Sequence, residues 1–97
     1  RGRLLAVDTP RGIVETFDCP LYALSGGDMY GLLKAARAET GVETCYPFGA
    51  EHHLTVGPEF DPGNFRRRLA DAGFGDVDLH RVEPGIEDLF MKRMRHE

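Results

Sequence analysis

The chain has few cysteines, few basic residues for its acidic content and no long apolar run, and each shortage excludes a class of protein. No apolar stretch approaches the roughly 20 residues that a membrane-spanning helix needs, so no such helix is predicted. Cys19 and Cys45 are too few and too far apart for a disulfide framework or a zinc knuckle. We therefore expect two reduced thiols, which is typical of a cytoplasmic protein.

The shortage of basic charge argues against a general nucleic-acid binder. Lys and Arg number 12 against 16 Asp and Glu, giving a formal net charge of -4, whereas such a binder needs cationic surface to displace counterions from phosphates. The basic run Arg66-Arg67-Arg68 would spread over about 200° of arc on a helix, because each residue turns about 100°. The aromatic stretch typical of RNA-recognition domains is also missing, so no nucleic-acid partner is expected.

What the sequence does contain is a regular alternation of short apolar patterns. Its 97 residues, 41% of them hydrophobic, allow one globular domain with a modest core. Period-2 and period-3.6 patterns predict strand, helix, strand, strand, helix, strand, helix. These elements are predicted over residues 21–25, 28–41, 42–48, 51–56, 61–73, 77–82 and a final helix after residue 85.

Helix ends and turns are marked by specific residues. Asp28 is placed to cap the first of these helices and Gly41 to end it, while Asp61-Pro62 and Gly73 bound the second. The stripe of the first helix comprises Met29, Leu32, Leu33 and Ala36, and that of the second comprises Phe65, Leu69 and Ala72.

The second and third predicted strands form a hairpin. Gly49-Ala50 fits a type II′ turn, which requires glycine at its first position. Pro47 cannot donate to a strand ladder and so places the second strand at a sheet edge. The neighbours His52 and His53 must point to opposite faces, which prevents them from chelating one ion together.

This order predicts an α+β fold, a ferredoxin-like βαββαβ sandwich with a four-stranded antiparallel sheet and an extra C-terminal helix. Before it, residues 3–7 read as a short strand and 10–15 as a short helix. We expect residues 1–18 to be the remnant of a preceding domain and 19–97 to be the ferredoxin-like domain, so that the chain is a piece of a longer polypeptide.

Leu24-Ser25-Gly26-Gly27-Asp28 nearly spells the LSGGQ signature of ABC ATPases. That signature works opposite a phosphate-binding loop G-x-x-x-x-G-K-[ST], which the sequence lacks, and Asp28 would repel phosphate. We interpret it as a strand-to-helix turn. No histidines lie at metal-ligand spacing, and no nucleophile lies at motif spacing from a base, so neither a metal site nor catalysis is expected of this chain.

Two stretches resemble segments of the ATP-binding subunits of bacterial ABC transporters. Residues 1–17 (RGRLLAVDTPRGIVETF) are similar to the segment G-x-[LIV]-[VL]-A-x-G-[TS]-P-x-x-[LIV] that follows the switch histidine, with Asp8 replacing glycine. Residues 82–94 (VEPGIEDLFMKRM) are similar to the V-x-P-S-L-E-D-[VL]-F-[LIM] ending of exporter-type subunits, with Gly85 replacing serine. The matching residues are Gly2, Leu4, Leu5, Ala6, Thr9, Pro10 and Val14 in the first stretch and Val82, Pro84, Ile86, Glu87, Asp88, Leu89, Phe90 and Met91 in the second.

The resemblance implies the C-terminal accessory domain of the ATP-binding subunit of an ABC-2-type, multidrug-related exporter. ATP and Mg would then bind only in an ATPase core upstream, and no cofactor is expected in this chain. The implied partners are that core, a second ATP-binding subunit and, through the parent protein, a membrane permease at the inner face of the cell membrane.

Such a domain would couple ATP hydrolysis to transport by subunit contacts. The candidate contact residues lie on the predicted edge strand and the final helix; they are Tyr46, Phe48, Ile86, Leu89, Phe90 and Met94. Edge strands can pair with another chain. The strand predicted in residues 1–18 would lack the sheet of its parent domain, so it must lie elsewhere, fray or pair with another copy, and the last of these would give a homodimer of this piece. The alternative is an ACT-like module that senses a small molecule, because ACT-like domains share the βαββαβ order.

Overall fold

The computed structural model describes Gly12, Phe17 and residues 19–96, which belong to two compact units. The larger unit is Pro20–Val82, and the second contains Gly12, Phe17, Cys19 and residues 83–96. The strand predicted over 3–7 lies outside the described residues. So does the helix predicted over 10–15, except for Gly12, which is helical and buried. The domain boundary after residue 18 stays a prediction.

Among the described residues, the larger unit contains four strands and two helices, and the second unit contains the helix that begins at Ile86. In chain order they are β1 (Leu21–Ser25), α1 (Met29–Ala38), β2 (Val42–Phe48), β3 (Glu51–Val56), α2 (Pro62–Asp71), β4 (Asp78–Arg81) and α3 (Ile86–His96). The strands form one antiparallel sheet in the order β2-β3-β1-β4. This is the predicted ferredoxin-like α+β arrangement, with β2 and β4 at the edges.

The start of α1 is as predicted, but its end is not. Asp28 Oδ1 accepts a hydrogen bond from the Gly31 amide at 3.0 Å, which caps the helix. The helix stops at Ala38, since Glu39 already has extended backbone (φ -80, ψ 130) and its amide bonds back to the Ala36 carbonyl. Gly41, with φ 99, instead turns the chain into β2.

Both ends of α2 follow the sequence prediction. Asp61 Oδ1 accepts from the amides of Gly63 (3.0 Å) and Asn64 (3.3 Å), and Pro62 occupies the first helical position. Gly73 follows the cap with φ 102. Ala72, predicted to be buried, is the exposed C-cap residue, because the helix ends at Asp71.

The hairpin between β2 and β3 has the predicted turn. Gly49 has φ 66, and no described residue other than glycine has positive φ, so Ala50 keeps negative φ as a type II′ turn requires. Phe48 and Glu51 are therefore the pair that closes the hairpin. This turn fixes the register of all the pairs behind it.

The core of the larger unit lies between the two helices and one face of the sheet. Leu24, Leu32 and Leu54 are fully buried, and Phe65 is 1% exposed. Burial of each such side chain stabilises the fold by about 1.5–3 kcal/mol relative to exposure. The complete buried cluster is Leu24, Leu32, Ala36, Cys45, Leu54, Val56, Phe65, Leu69 and Leu79. Among the described residues, no helix is long and apolar enough to cross a membrane.

Candidate functional site

The sheet face opposite α1 and α2 carries most of the polar side chains that could do chemistry. Alternation along each strand and the pairing register place its residues in three cross-strand rows. We call this the second face, and its rows are Thr44-Thr55-Leu21, Tyr46-His53-Ala23-His80 and Phe48-Glu51-Ser25-Asp78.

One end of the second face is buried. Leu21 and Thr55 are each 1% exposed, and the hydroxyl groups of Thr44 and Thr55 are 2.6 Å apart. This hydrogen bond gives each hydroxyl one partner where water is excluded. The sheet is therefore buried on both faces at this end, unlike an antiparallel sheet with one solvated side.

The other end of the second face carries two carboxylate–imidazole pairs. On β3, Glu51 Oε2 lies 3.8 Å from His53 Nε2, and on β4, Asp78 Oδ2 lies 2.9 Å from His80 Nδ1. Ala23 on β1 is opposite both histidines in the register. Since neighbouring strands are about 4.8 Å apart, the two histidine backbones are separated by about 10 Å across this small residue.

The two pairs differ in their surroundings. The His53 side chain is 6% exposed, and its ring stacks on Phe48 with centroids 4.1 Å apart. The side chains of His80 and Asp78 are 50% and 65% exposed. The first pair is thus oriented by packing, while the second is free to exchange partners with solvent. Ala23 between them is fully buried, so only the exposed Asp78-His80 pair can donate and accept hydrogen bonds with a solute.

Sequence reasoning missed these pairs. The signal was present as Glu51-x-His53 and Asp78-x-His80, because residues two apart on a strand share a face. Among the described residues, no group of three or more His, Cys, Asp or Glu could hold a metal ion.

His52 lies on the helix face, opposite to His53 as predicted. Its Nε2 is 2.6 Å from the main-chain oxygen of Met29, at the start of α1. Its Nδ1 is buried without a hydrogen-bond partner. The His52 imidazole therefore lies between the sheet and α1, whereas the His53 imidazole lies on the second face.

The Ser25-Gly26-Gly27-Asp28 segment is a closely packed turn. A Cβ on Gly26 would lie 2.9 Å from Leu32 Cδ1, and one on Gly27 would lie 3.1 Å from Asp76 Oδ2. Close approach therefore accounts for the two glycines, and capping accounts for Asp28. The interpretation of this segment as a strand-to-helix turn is confirmed.

The basic run on α2 does not form one patch. Arg66 Nη2 donates to the Leu79 carbonyl at 2.7 Å, and Arg67 Nη1 donates to Asn64 Oδ1 at 2.9 Å. Arg68 pairs with Glu39 at the end of α1. The three guanidinium groups thus have three different partners, as the predicted spread of the run requires.

A small cleft separates the end of α1 from the start of α2. Its volume is about 210 Å³, and it is lined by Glu39, Thr40, Glu59, Asp61, Asn64 and Arg68. Two of its carboxylates already have partners, since Glu39 pairs with Arg68 and Asp61 caps α2. Asp61 and Glu39 therefore have structural roles at this cleft, in helix capping and in that ion pair.

Cys45 is not arranged as a nucleophile. Cys19 and Cys45 form no disulfide. Burial raises the pKa of the Cys45 thiol to about 11, and the nearby Arg37 lowers it only in part. A thiol with that pKa stays protonated at neutral pH and is a poor nucleophile.

The predicted contact residues are placed in three different ways. Tyr46 and Leu89 are each 4% exposed, whereas Phe90 is 58% exposed. Phe48 and Ile86 are half-buried. The Met94 side chain lies outside the described side chains, so its predicted contact role stays a prediction.

The second resembling stretch contains the start of α3. Asp88 Oδ2 accepts a hydrogen bond from the Gly85 amide at 2.9 Å, and the Leu89 amide bonds to the Gly85 carbonyl. A capping box has two reciprocal hydrogen bonds between the N-cap residue and the residue three positions later. Asp88 makes the bond to the Gly85 amide, but Gly85 has no side-chain hydroxyl to make the other. Glu87 is exposed, and Pro84 is half-buried. Thr9 and Pro10, from the first stretch, lie outside the described residues.

Fold and register thus define a ferredoxin-like α+β unit with a polar second face. Comparison with protein-family models, with curated proteins and with solved structures finds no match to this chain.

Proposed function

We propose that this chain is the C-terminal accessory domain of the ATP-binding subunit of an ABC exporter. The observation that carries the proposal is the order of elements: the unit Pro20–Val82 fills the interval between the two resembling stretches. Its topology agrees with the βαββαβ order expected there. ATP and Mg would bind in the ATPase core upstream, and the domain would act without catalysis of its own.

The proposed contribution is mechanical contact that couples ATP hydrolysis to transport. Phe90 supports it, because this aromatic side chain on α3 is 58% exposed and belongs to the resembling ending. Aromatic side chains are enriched among the residues that contribute most of the binding energy at an interface. In the parent complex its partner would be the ATPase core or the second ATP-binding subunit, next to the permease at the inner face of the cell membrane.

The proposal is tested in the full subunit by deleting residues 19–97. We expect weaker dimerisation and a lower transport rate per ATP hydrolysed. The Phe90→Ala variant should reproduce part of this loss, whereas Tyr30→Ala should not, although Tyr30 is 71% exposed. Unchanged dimerisation, ATPase rate and transport after the deletion would reject the proposal.

A small-molecule sensing module is the second candidate, and the exposed carboxylate–imidazole pair of the second face favours it. Asp78-His80 presents an imidazole and a carboxylate that are 50% and 65% exposed, whereas His53 of the other pair is buried. This candidate predicts that an amino acid or drug raises the melting temperature of the chain and that His80→Ala removes the shift. Absence of any shift across an amino-acid and drug panel counts against it.

A further inference from the structure

Two arginines from different helices bind main-chain oxygens of the two edge strands. Arg37 Nε on α1 donates to the carbonyl oxygen of Cys45 on β2 at 2.9 Å. Arg66 Nη2 on α2 donates to the carbonyl oxygen of Leu79 on β4 at 2.7 Å. Since β2 and β4 are the outermost strands of the sheet, each edge receives one guanidinium group.

On β2 the Cys45 carbonyl points away from the sheet. The two-residue turn makes Phe48 and Glu51 a hydrogen-bonded pair, and such pairs alternate with non-hydrogen-bonded ones. Cys45 and Pro47 fall in the non-hydrogen-bonded pairs, so their main-chain polar groups face outward. Arg37 occupies one outward carbonyl, and Pro47 has no N–H to offer.

The same alternation applies to β4. The Val82 amide donates to the Leu21 carbonyl at 3.0 Å, so this is a hydrogen-bonded pair. Leu79 lies three residues away and therefore directs its carbonyl outward. Arg66 occupies that carbonyl, and the strand is only 4 residues long. Short edges and charged side chains are established means of preventing edge pairing.

The helix dipole does not explain both contacts. Arg37 lies in the last turn of α1, where a cation interacts favourably with the helix C-terminus. Arg66, however, lies in the middle of α2, where the dipole contributes little. Its neighbour Arg67 bonds within its own helix to Asn64. The feature that Arg37 and Arg66 share is the outward carbonyl of an edge strand.

We propose that Arg37 and Arg66 close the two edges of the sheet against strand addition by a second copy of this chain. Removing either side chain exposes an outward carbonyl and makes that edge available for antiparallel pairing. The inference goes beyond the proposed coupling function and does not depend on it. With both edges closed, the intact domain contacts its partners through side chains and not by adding a strand beside β2.

The test compares self-association of Arg37→Ala and Arg66→Ala with that of Arg67→Ala. All three variants remove one exposed guanidinium from a helix, so net charge is matched. Sedimentation equilibrium of the 97-residue chain should give association constants at least about tenfold higher for Arg37→Ala and Arg66→Ala. Wild type should behave like Arg67→Ala.

Pro47→Val provides a second variant, because it restores an outward N–H without touching either arginine. It should also increase association, and hydrogen exchange should show the Cys45 amide protected in the associated form. Far-UV circular dichroism confirms folding, and if Arg37→Ala does not fold, Pro47→Val and Arg66→Ala decide the question. Folded edge variants that associate no more than Arg67→Ala overturn the proposal, as does association that leaves the outward amides unprotected.

Discussion

The Nε2 atom of His52 lies 2.6 Å from the main-chain oxygen of Met29, which connects β3 to the first residue of α1. A carbonyl oxygen only accepts hydrogen bonds, so Nε2 carries the proton in this contact. His52 is 4% exposed, and its Nδ1 has no hydrogen-bond partner. The imidazole therefore contributes one buried hydrogen bond and leaves one buried acceptor unsatisfied.

Replacing His52 tests the value of this contact. His52→Ala should destabilise the chain by about 1–3 kcal/mol, because it removes a buried hydrogen bond to the Met29 carbonyl and creates a cavity. His52→Gln, which can still donate at a similar reach, should recover part of that loss. Urea unfolding gives both values. His80→Ala is the control and should change stability by less than about 0.5 kcal/mol, since its side chain is 50% exposed.

The hydroxyl pair of Thr44 and Thr55 predicts strong non-additivity. Thr55→Val should cost about 1–3 kcal/mol, because it leaves the Thr44 hydroxyl unsatisfied in a buried position. The double variant with Thr44→Val should be no less stable than either single variant, since both polar groups are then gone. A double-mutant cycle by chemical denaturation measures the coupling. Simple additivity of the two single losses would show that the hydroxyls do not interact.

Replacing glycine by alanine within a helix usually stabilises the helix, but at Gly31 we expect the opposite. A Cβ there would lie 2.5 Å from Asp28 Oδ2 and 2.9 Å from Phe74 Cε1, so the cap or the aromatic ring must move. We expect Gly31→Ala to destabilise by about 1–3 kcal/mol despite the better helix propensity of alanine. Gly63→Ala on α2 is the matched control. Its Cβ would be 3.4 Å from Asp61 Oδ1, and it should be neutral or stabilising by up to about 1 kcal/mol. Equal effects of the two changes would contradict the packing argument.

Cys45 predicts a specific loss of stability at alkaline pH. Burial raises its pKa from 9.0 to about 11 in the folded chain, so the folded state holds this proton more tightly than the unfolded state. The resulting stabilisation is complete below pH 9 and is lost as pH rises toward 11, by on the order of 2 kcal/mol. The measurement is the difference in unfolding free energy between wild type and Cys45→Ala across that range. A difference that does not change with pH would contradict the assignment.

The parts of the fold that follow from strand alternation and turn chemistry could be predicted. Pro47 placed β2 at an edge, and the period of two separated His52 from His53; the structure confirms both. Gly49 and Asp61 likewise fixed a turn and a helix start. Each of these is a local rule, in which one residue type restricts the backbone at its own position.

The features that depend on tertiary contacts could not be read from the sequence. The end of α1 at Ala38 coincides with the ion pair between Glu39 and Arg68 of α2, which are distant in the chain. Arg37 and Arg66 donate to main-chain oxygens. Every residue has such an oxygen, so the sequence does not indicate which one an arginine will bind. Tyr46 was predicted to be a contact residue but is buried. Its burial depends on the residues packed around β2, which the alternation of residues along β2 does not reveal.

The most direct measurement of the proposed function is the coding sequence upstream of Arg1 in the parent gene. We expect it to encode an ATPase core that contains, in order, a phosphate-binding loop G-x-x-x-x-G-K-[ST], an LSGGQ-type signature and an aspartate–glutamate pair, followed by a histidine at the end of a strand shortly before Arg1. An upstream region that lacks these motifs would contradict the account.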